Sequence, residues 1–291
     1  MKIIDAFPFF DEIDLLKIRL KTLSPVVDLF VISEFSTSFS GKPKGFILEK
    51  HLWEFRAFED KIVYLKQNQQ EILNPFENDH FQKDSIKEHL QNLIGSEDIL
   101  LFGDLDEIPN PQAIVDAARL INGGTKICHF AQTLSYAYLN MLDQSGSLLS
   151  YCGEYPSIRN KKWLGTIATS PTHLSEFTMT QLRDPLQKEY GVRLESGGWH
   201  FSYAGGANSE AITRISHKIE NNAHQEFNTR EVLSNISSRL EAKEDILGRR
   251  VKGRFFKANR AQFKVVPIDD SFPIEVQLNQ KNYRKLIHDY N

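Results

Sequence analysis

Cysteine is nearly missing from this chain: two thiols, Cys128 and Cys152, occur in 291 residues. Neither sits in a metal-binding spacing, which argues against a zinc site or a disulfide scaffold. A single bridge between them and two buried free thiols are the readings left. An apolar run of membrane-spanning length is also lacking. The opening Met1-Lys-Ile-Ile-Asp-Ala-Phe has no long apolar stretch before its first charge, so it reads as a strand and not as a signal peptide. Nor is there a strong excess of charge: 35 basic against 38 acidic residues leave a formal net charge of −3. That balance excludes a nucleic-acid binder driven by bulk electrostatics. Repeats and low-complexity linkers are absent too. The expectation is a soluble chain in a reducing cytoplasm.

What is present is an α/β texture. The hydrophobic fraction of 41% allows a sizeable core, and 25% charged residues is ordinary for a soluble protein. Residues 2–7 read as a strand, followed by a helix from Asp11 to Leu23 with Ile13, Leu16, Leu20 and Leu23 at helical spacing. Asp28–Ser33 and Lys61–Leu65 read as further strands, and their continuous apolar character suits a parallel sheet buried on both faces. A helix over Glu77–Ile94, a strand over 98–103 and a helix opened by Pro111 complete the alternation. Beyond Thr125 the pattern changes to strands at 126–130, 135–139 and 197–203, a helix at 209–216 and a longer one at 229–246. The expected organisation is one α/β domain over residues 1–250, with a basic and aromatic extension over 251–291 packed on it.

The most informative stretch is Asp98-Ile-Leu-Leu-Phe-Gly-Asp104-Leu-Asp106-Glu107-Ile-Pro109, an apolar strand that ends in acids. Carboxylates at the C-terminal end of such a strand lie where open α/β sheets bind ligands. Strand alternation would point Asp104 and Asp106 to one side. Paired carboxylates repel unless a cation joins them, and hard oxygens suit Mg²⁺ or Mn²⁺, which usually also hold phosphates. The pattern points to an enzyme that handles a diphosphate leaving group. A solvated acidic turn or a helix cap is the plain alternative.

Other residues carry weaker signals. Glu34 ends a strand and can accept from a ribose or base, or be a surface acid. Lys42 and Lys44 lie in a glycine-bounded loop that can touch phosphates or be ordinary surface. His200, after Gly197-Gly198-Trp199, can add a metal ligand beside Asp106 or be a packed histidine. Its glycines suggest close backbone approach to a strand or a ligand. Trp199 is a sugar-stacking platform or plain core. Glu195, Glu154 and Glu226 are candidates for the base that takes an acceptor proton, and spacing does not choose among them. The basic run Gly248–Arg254 reads as a solvated loop or as a patch facing phosphates or an acidic membrane surface.

Several segments in order resemble glycosyltransferase family 17, whose best-known members are β-1,4-mannosyl-glycoprotein 4-β-N-acetylglucosaminyltransferases. They are Asp5–Leu20, Val27–Glu34 with Phe39–Lys44, Leu101–Pro109, Gly198–Tyr203 and Ala223–Asn228. The resemblance covers residues 2 to about 230. It implies a GT-A-like Rossmann-type fold with a mixed, mostly parallel sheet, an inverting mechanism and a UDP-sugar donor, with N-acetylglucosamine as the sugar. It carries the metal-and-diphosphate role, with Mn²⁺ or Mg²⁺, onto Asp104 and Asp106, with Glu107 beside them. It suggests donor-site roles for Glu12, Arg19 and Glu34 and active-site places for His200, His224 and Glu226. Lys83 stands where the family tends to have arginine, which would replace a planar fork on the diphosphate by a point charge. Without the membrane anchor of the animal enzymes, the expected acceptor is a lipid-linked or surface saccharide met at the cytoplasmic face, with peripheral membrane contact. An inactive glycan-binding protein and a nucleotidyltransferase are the competing readings; for the latter, an early glycine- and lysine-rich phosphate loop is lacking.

Overall fold

The structure is a computed structural model that describes residues 1–69, 71–143, 162–183, 191–206, 209–252, 258–260 and 263–290. The chain forms two compact units, Met1–Gln132 with Leu164–Gly198, and Thr133–Trp163 with Trp199–Asn291. Residues 251–291 thus share a unit with earlier segments, where the sequence suggested a boundary near 250.

The first unit begins with strand β1 (Ile3–Pro8), helix α1 (Ile13–Leu23) and strand β2 (Leu29–Phe35). A 3₁₀ stretch, Leu48–Lys61, precedes β3 (Ile62–Gln67). Helices α2 (Pro75–Asp84) and α3 (Ile86–Leu90) lead to β4 (Ile99–Phe102). Then come β5 (Glu107–Pro109), α4 (Pro111–Asn122) and β6 (Ile127–Tyr136), the last of which runs on past Gln132. Strands β3, β2, β1 and β4 lie side by side and all parallel. Strand Trp163–Thr169 adds to β4 in the antiparallel sense, with β6 beyond it. This is the mixed, mostly parallel sheet that the sequence predicts.

The sequence explains the layering. Ile4, Ala6 and Phe7 of β1 and Phe30, Val31 and Ile32 of β2 are fully buried, as parallel strands covered on both faces require. One core cluster joins Ile4, Ala6, Val31, Leu100 and Phe102 to Ile86 and Leu90 of α3 and to Leu174, Met179 and Leu182. Helix starts follow their caps. Asn74 closes a capping box with Glu77 ahead of Pro75, and the Asn110 side chain accepts from the Gln112 amide ahead of Pro111. The helix predicted over 77–94 is instead two, parted at Ser85, whose hydroxyl donates to the Gln82 carbonyl.

Strand order decides where a ligand can sit. From β1 the chain builds outward through β2 and β3, whereas β4 pairs with the opposite edge of β1. The C-terminal ends of β1 and β4 therefore flank a topological switch point, the usual ligand crevice of an open α/β sheet. Residues 103–107 follow β4 at that point.

The glycines before Trp199 serve strand packing. A Cβ on Gly197 would lie 2.3 Å from the Ala131 nitrogen, and one on Gly198, at φ +121°, 2.3 Å from the Ile108 carbonyl oxygen. Strand Val192–Ser202 thus runs against β5 and β6 so closely that no side chain fits.

The second unit has its own core, in which Tyr136, Tyr138 and Met141 pack with Ile215, Ile219, Ile236, Leu240, Phe263 and Val265. Helix Ser209–Asn221 supplies Ala211, Ile215 and Ile219 at four-residue spacing. The helix predicted over 229–246 is interrupted at Asn235, whose side chain donates to the Glu231 carbonyl, giving Arg230–Ser234 and Ile236–Glu241. Asp245, fully buried, accepts from the Tyr136 hydroxyl at 2.5 Å and from Arg249 at 2.8 Å. Among the described residues no helix is long and apolar enough to cross a membrane.

Candidate active site

Strand β4 stops at Phe102, and Asp104–Glu107 is a turn closed by the Glu107 amide donating to the Asp104 carbonyl at 3.0 Å. This corrects the expectation that Asp104 and Asp106 share one face of a strand. Gly103 ends the extended backbone, and two-residue alternation no longer applies after it. The glycine is required by space, since a Cβ there would lie 2.5 Å from the Thr166 hydroxyl and 2.9 Å from a Glu107 carboxylate oxygen. Asp106 is buried, 8% exposed, while the Asp104 side chain is one-third exposed at 33%.

Arg19 holds this turn from beneath. Its guanidinium pairs with both oxygens of Asp5, at 2.8 and 2.6 Å. Its Nη1 donates to the carbonyls of Asp104, Leu105 and Glu107 at 3.0, 3.2 and 2.8 Å. Arg19 and Asp5 are both fully buried. The resemblance suggested a donor-site role for Arg19; the structure shows a side chain committed to the backbone of the acidic turn. The Thr166 hydroxyl adds another donor to the Glu107 carbonyl, at 2.9 Å.

Above the turn, charges converge. Lys83, from the last turn of α2, lies 3.1 Å from Asp104 Oδ1, and Arg183 lies 3.2 Å from the same oxygen. Lys83 also pairs with Asp79 at 2.9 Å. Arg183 Nη2 donates to both oxygens of Glu107, at 2.7 and 2.9 Å, and its Nε to the Gly165 carbonyl at 3.0 Å. The Asp104 amide donates to Glu107 Oε2 at 2.8 Å. Burial alone would raise the Asp104 pKa, but Arg183 and Lys83 outweigh it and hold the carboxyl well below the usual range. Burial likewise works against charge on Lys83 and Arg183, and Asp104, with Asp79 or Glu107, more than restores it in each.

This arrangement does not fit a resident divalent ion held by Asp104, Asp106 and His200. The inner oxygen of Asp104 is already taken by two cations, and Glu107 by a guanidinium and an amide. The His200 ring packs 4.7 Å from that of Trp163. Among the described residues no group of three or more His, Cys, Asp or Glu side chains could hold a metal.

Glu12 and Glu34 organise the neighbouring loop. Glu12 Oε2 accepts from the amides of Phe10 and Asp11, at 3.3 and 3.2 Å. Glu34 is fully buried and accepts from Lys44 at 2.6 Å, the Ile47 and Leu48 amides at 2.6 and 3.1 Å, and the Tyr64 hydroxyl at 2.5 Å. Burial and this carboxylate push the Tyr64 phenol far above its ordinary value. Lys44, proposed as a phosphate contact, also donates to the Phe10 carbonyl at 3.1 Å.

Other candidates form local pairs. Glu195, 60% exposed, pairs with Arg193 at 2.9 Å in the first unit. In the second, Glu226 pairs with His224 at 2.7 Å, both about half exposed. Trp199 is 8% exposed and donates its indole N–H to the Ser271 carbonyl at 2.7 Å, so the second unit's core claims its ring. Glu154, Cys152 and Arg254 lie outside the described residues. Sequence reading missed Asp5, Asp79, Thr166 and Arg183. No local pattern marks them, because each is defined by a partner distant in the chain or one helical turn away.

The fold is a mixed α/β sheet with an acidic turn following β4 at its switch point. The model of Glycosyltransferase family 17 matches residues 1–237, and the chain belongs to that family. It is accordingly a glycosyltransferase. No curated protein matches the chain. Solved structures similar to it include mouse xyloside xylosyltransferase 1 in its apo form, with 10% identity, 76% of this chain and 83% of that one covered, and a TM-score of 0.33. Another is the 4-diphosphocytidyl-2C-methyl-D-erythritol synthase of Anaerococcus prevotii, with 13% identity, 82% and 96% covered, and a TM-score of 0.35. Likeness of this degree carries no functional argument here.

Proposed function

We propose that the protein transfers a sugar, N-acetylglucosamine, from a UDP-sugar to a hydroxyl of a saccharide or lipid-linked saccharide, with inversion at the anomeric carbon. The observation that carries this reading is the family match over residues 1–237. It is supported by the placement of the acidic turn after β4, beside the switch point of the parallel sheet.

In this reading the acceptor oxygen forms its bond to the anomeric carbon as the bond to the donor's diphosphate breaks. A carboxylate takes the acceptor proton. Glu226, hydrogen-bonded to His224, and Glu195 are the described candidates. The transition state carries positive charge on the ring oxygen, and negative charge grows on the leaving diphosphate. A reducing, cytoplasmic working place with peripheral membrane contact completes the proposal, and the free, buried thiol of Cys128 is in keeping with it.

The test is turnover. The full chain, incubated with a panel of UDP-sugars, should release UDP most rapidly from UDP-N-acetylglucosamine, and Glu226→Gln and Glu195→Gln should separate the base from the bystander. Absence of turnover with every common nucleotide sugar, with and without saccharide acceptors, would sink the reading.

A further inference from the structure

The acidic turn brings two cations to one carboxylate oxygen. Lys83 and Arg183 approach Asp104 Oδ1 at 3.1 and 3.2 Å, and that oxygen receives no well-directed hydrogen bond from either. The side chains of Lys83 and Arg183 are nearly covered, 11% and 14% exposed, while that of Asp104 is 33% exposed. The carboxylate is thus the more open member of the cluster, facing two positive charges that it matches only with a single crowded oxygen. An anion with several oxygens along its length would match them better. A planar guanidinium and a compact ammonium set side by side suit the two phosphates of a diphosphate. The turn they face follows β4 at the switch point, which is where such a group arrives.

We propose that Lys83 and Arg183 take the donor's diphosphate directly, with Asp104 as their built-in counter-ion, and that this binding needs no divalent ion. The proposal rests on the nucleotide-sugar reading and deepens it. Asp79 and Glu107 also hold the two cations in place, since Lys83 pairs with Asp79 and Arg183 with Glu107. When the diphosphate binds, Asp104 gives up its contacts with the two cations and turns to water, and no covalent bond changes.

The experiment is calorimetric titration of the full chain with inorganic pyrophosphate and with UDP, in excess EDTA and again with Mg²⁺. The expected result is binding of both in EDTA. Lys83→Met should weaken it by about tenfold or more, the loss of one charged hydrogen bond. Lys83→Arg should restore most of it, which separates charge from packing. Asp104→Asn should bind pyrophosphate as tightly as the natural chain or more tightly, because it removes the competing carboxylate. A metal-ligand role for Asp104 predicts the reverse. Binding that requires Mg²⁺ and disappears in Asp104→Asn overturns the proposal, as does an unchanged affinity in Lys83→Met. Pyrophosphate binding in EDTA without turnover of any nucleotide sugar would uphold the anion site and remove the transferase reading. Turnover in Mg²⁺ with no binding of pyrophosphate or UDP in EDTA would uphold the transferase reading and remove this one.

Discussion

Arg183 sets one guanidinium nitrogen against both carboxylate oxygens of Glu107, 76 positions away in the chain, at 2.7 and 2.9 Å. Glu107 is fully buried. The pair therefore joins the first residue of β5 to the segment after helix Met179–Leu182 without water between them.

Breaking it should be costly. Arg183→Met takes the guanidinium away from a buried carboxylate, and removal of one member of a buried pair typically costs about 3–5 kcal/mol. Urea unfolding of the variant should show a loss of that size. A loss under about 1 kcal/mol would contradict a dry, buried pair.

Arg19→Lys should be harmful although the charge is kept. The substitution cannot maintain the fork on Asp5 and three carbonyl contacts together. Each buried carbonyl left without a donor costs about 1–3 kcal/mol. The expected outcome is a destabilisation of at least about 2 kcal/mol with pyrophosphate affinity reduced in parallel. Full stability would show that the turn stands without this support.

Acid should loosen the protein in a defined direction. Arg183 and Lys83 hold Asp104 low against burial, and Arg249 with Tyr136 do the same for Asp245. For Asp98 the Gly95 and Lys2 amides overcome burial. Folded values below the unfolded ones mean that this stabilisation is complete above the unfolded carboxyl range, near about pH 4, and drains away as pH falls toward the folded values. The urea midpoint should hold steady from about pH 7 to 5 and fall steeply below about pH 4. A midpoint indifferent to pH in that lower range would contradict the ion-pair account.

Cys128 should be inert. It is fully buried, and burial pushes its thiol up to about 11. In a Cys152→Ser background, a thiol-specific disulfide reagent should modify the folded chain at the rate of its unfolding and no faster at neutral pH. Prompt labelling would place the sulfur nearer to solvent than the structure does.

The elements most legible in the sequence were those with a single dominant signal. Strands β1, β2 and β4 showed as uninterrupted apolar runs, and α4 as a helix opened by Pro111 and closed by Gly123. The long helices predicted at 77–94 and 229–246 were each divided, at Ser85 and Asn235, because a short polar side chain there bonds to the backbone of the preceding turn. That competition is weak in sequence and decisive in place. At the candidate site the acids were visible as a motif, but their environment was not. Gly103 ends the extended backbone before Asp104, so two-residue alternation does not reach Asp106. Arg183 is one arginine among many in the sequence, and only folding sets it beside Asp104 and Glu107. Asp5 lies in the middle of β1 as the fixed anion beneath Arg19, a pairing 14 positions apart that no local pattern marks.

That last contact ties the acidic turn to strand β1 through Arg19. A segment bolted to the sheet through Asp5 has few conformations to lose, so an incoming anion meets a receptor already assembled and forfeits little freedom on docking. Lesions deep in β1, remote from any substrate, should then disable the enzyme by tilting the platform on which its charges stand.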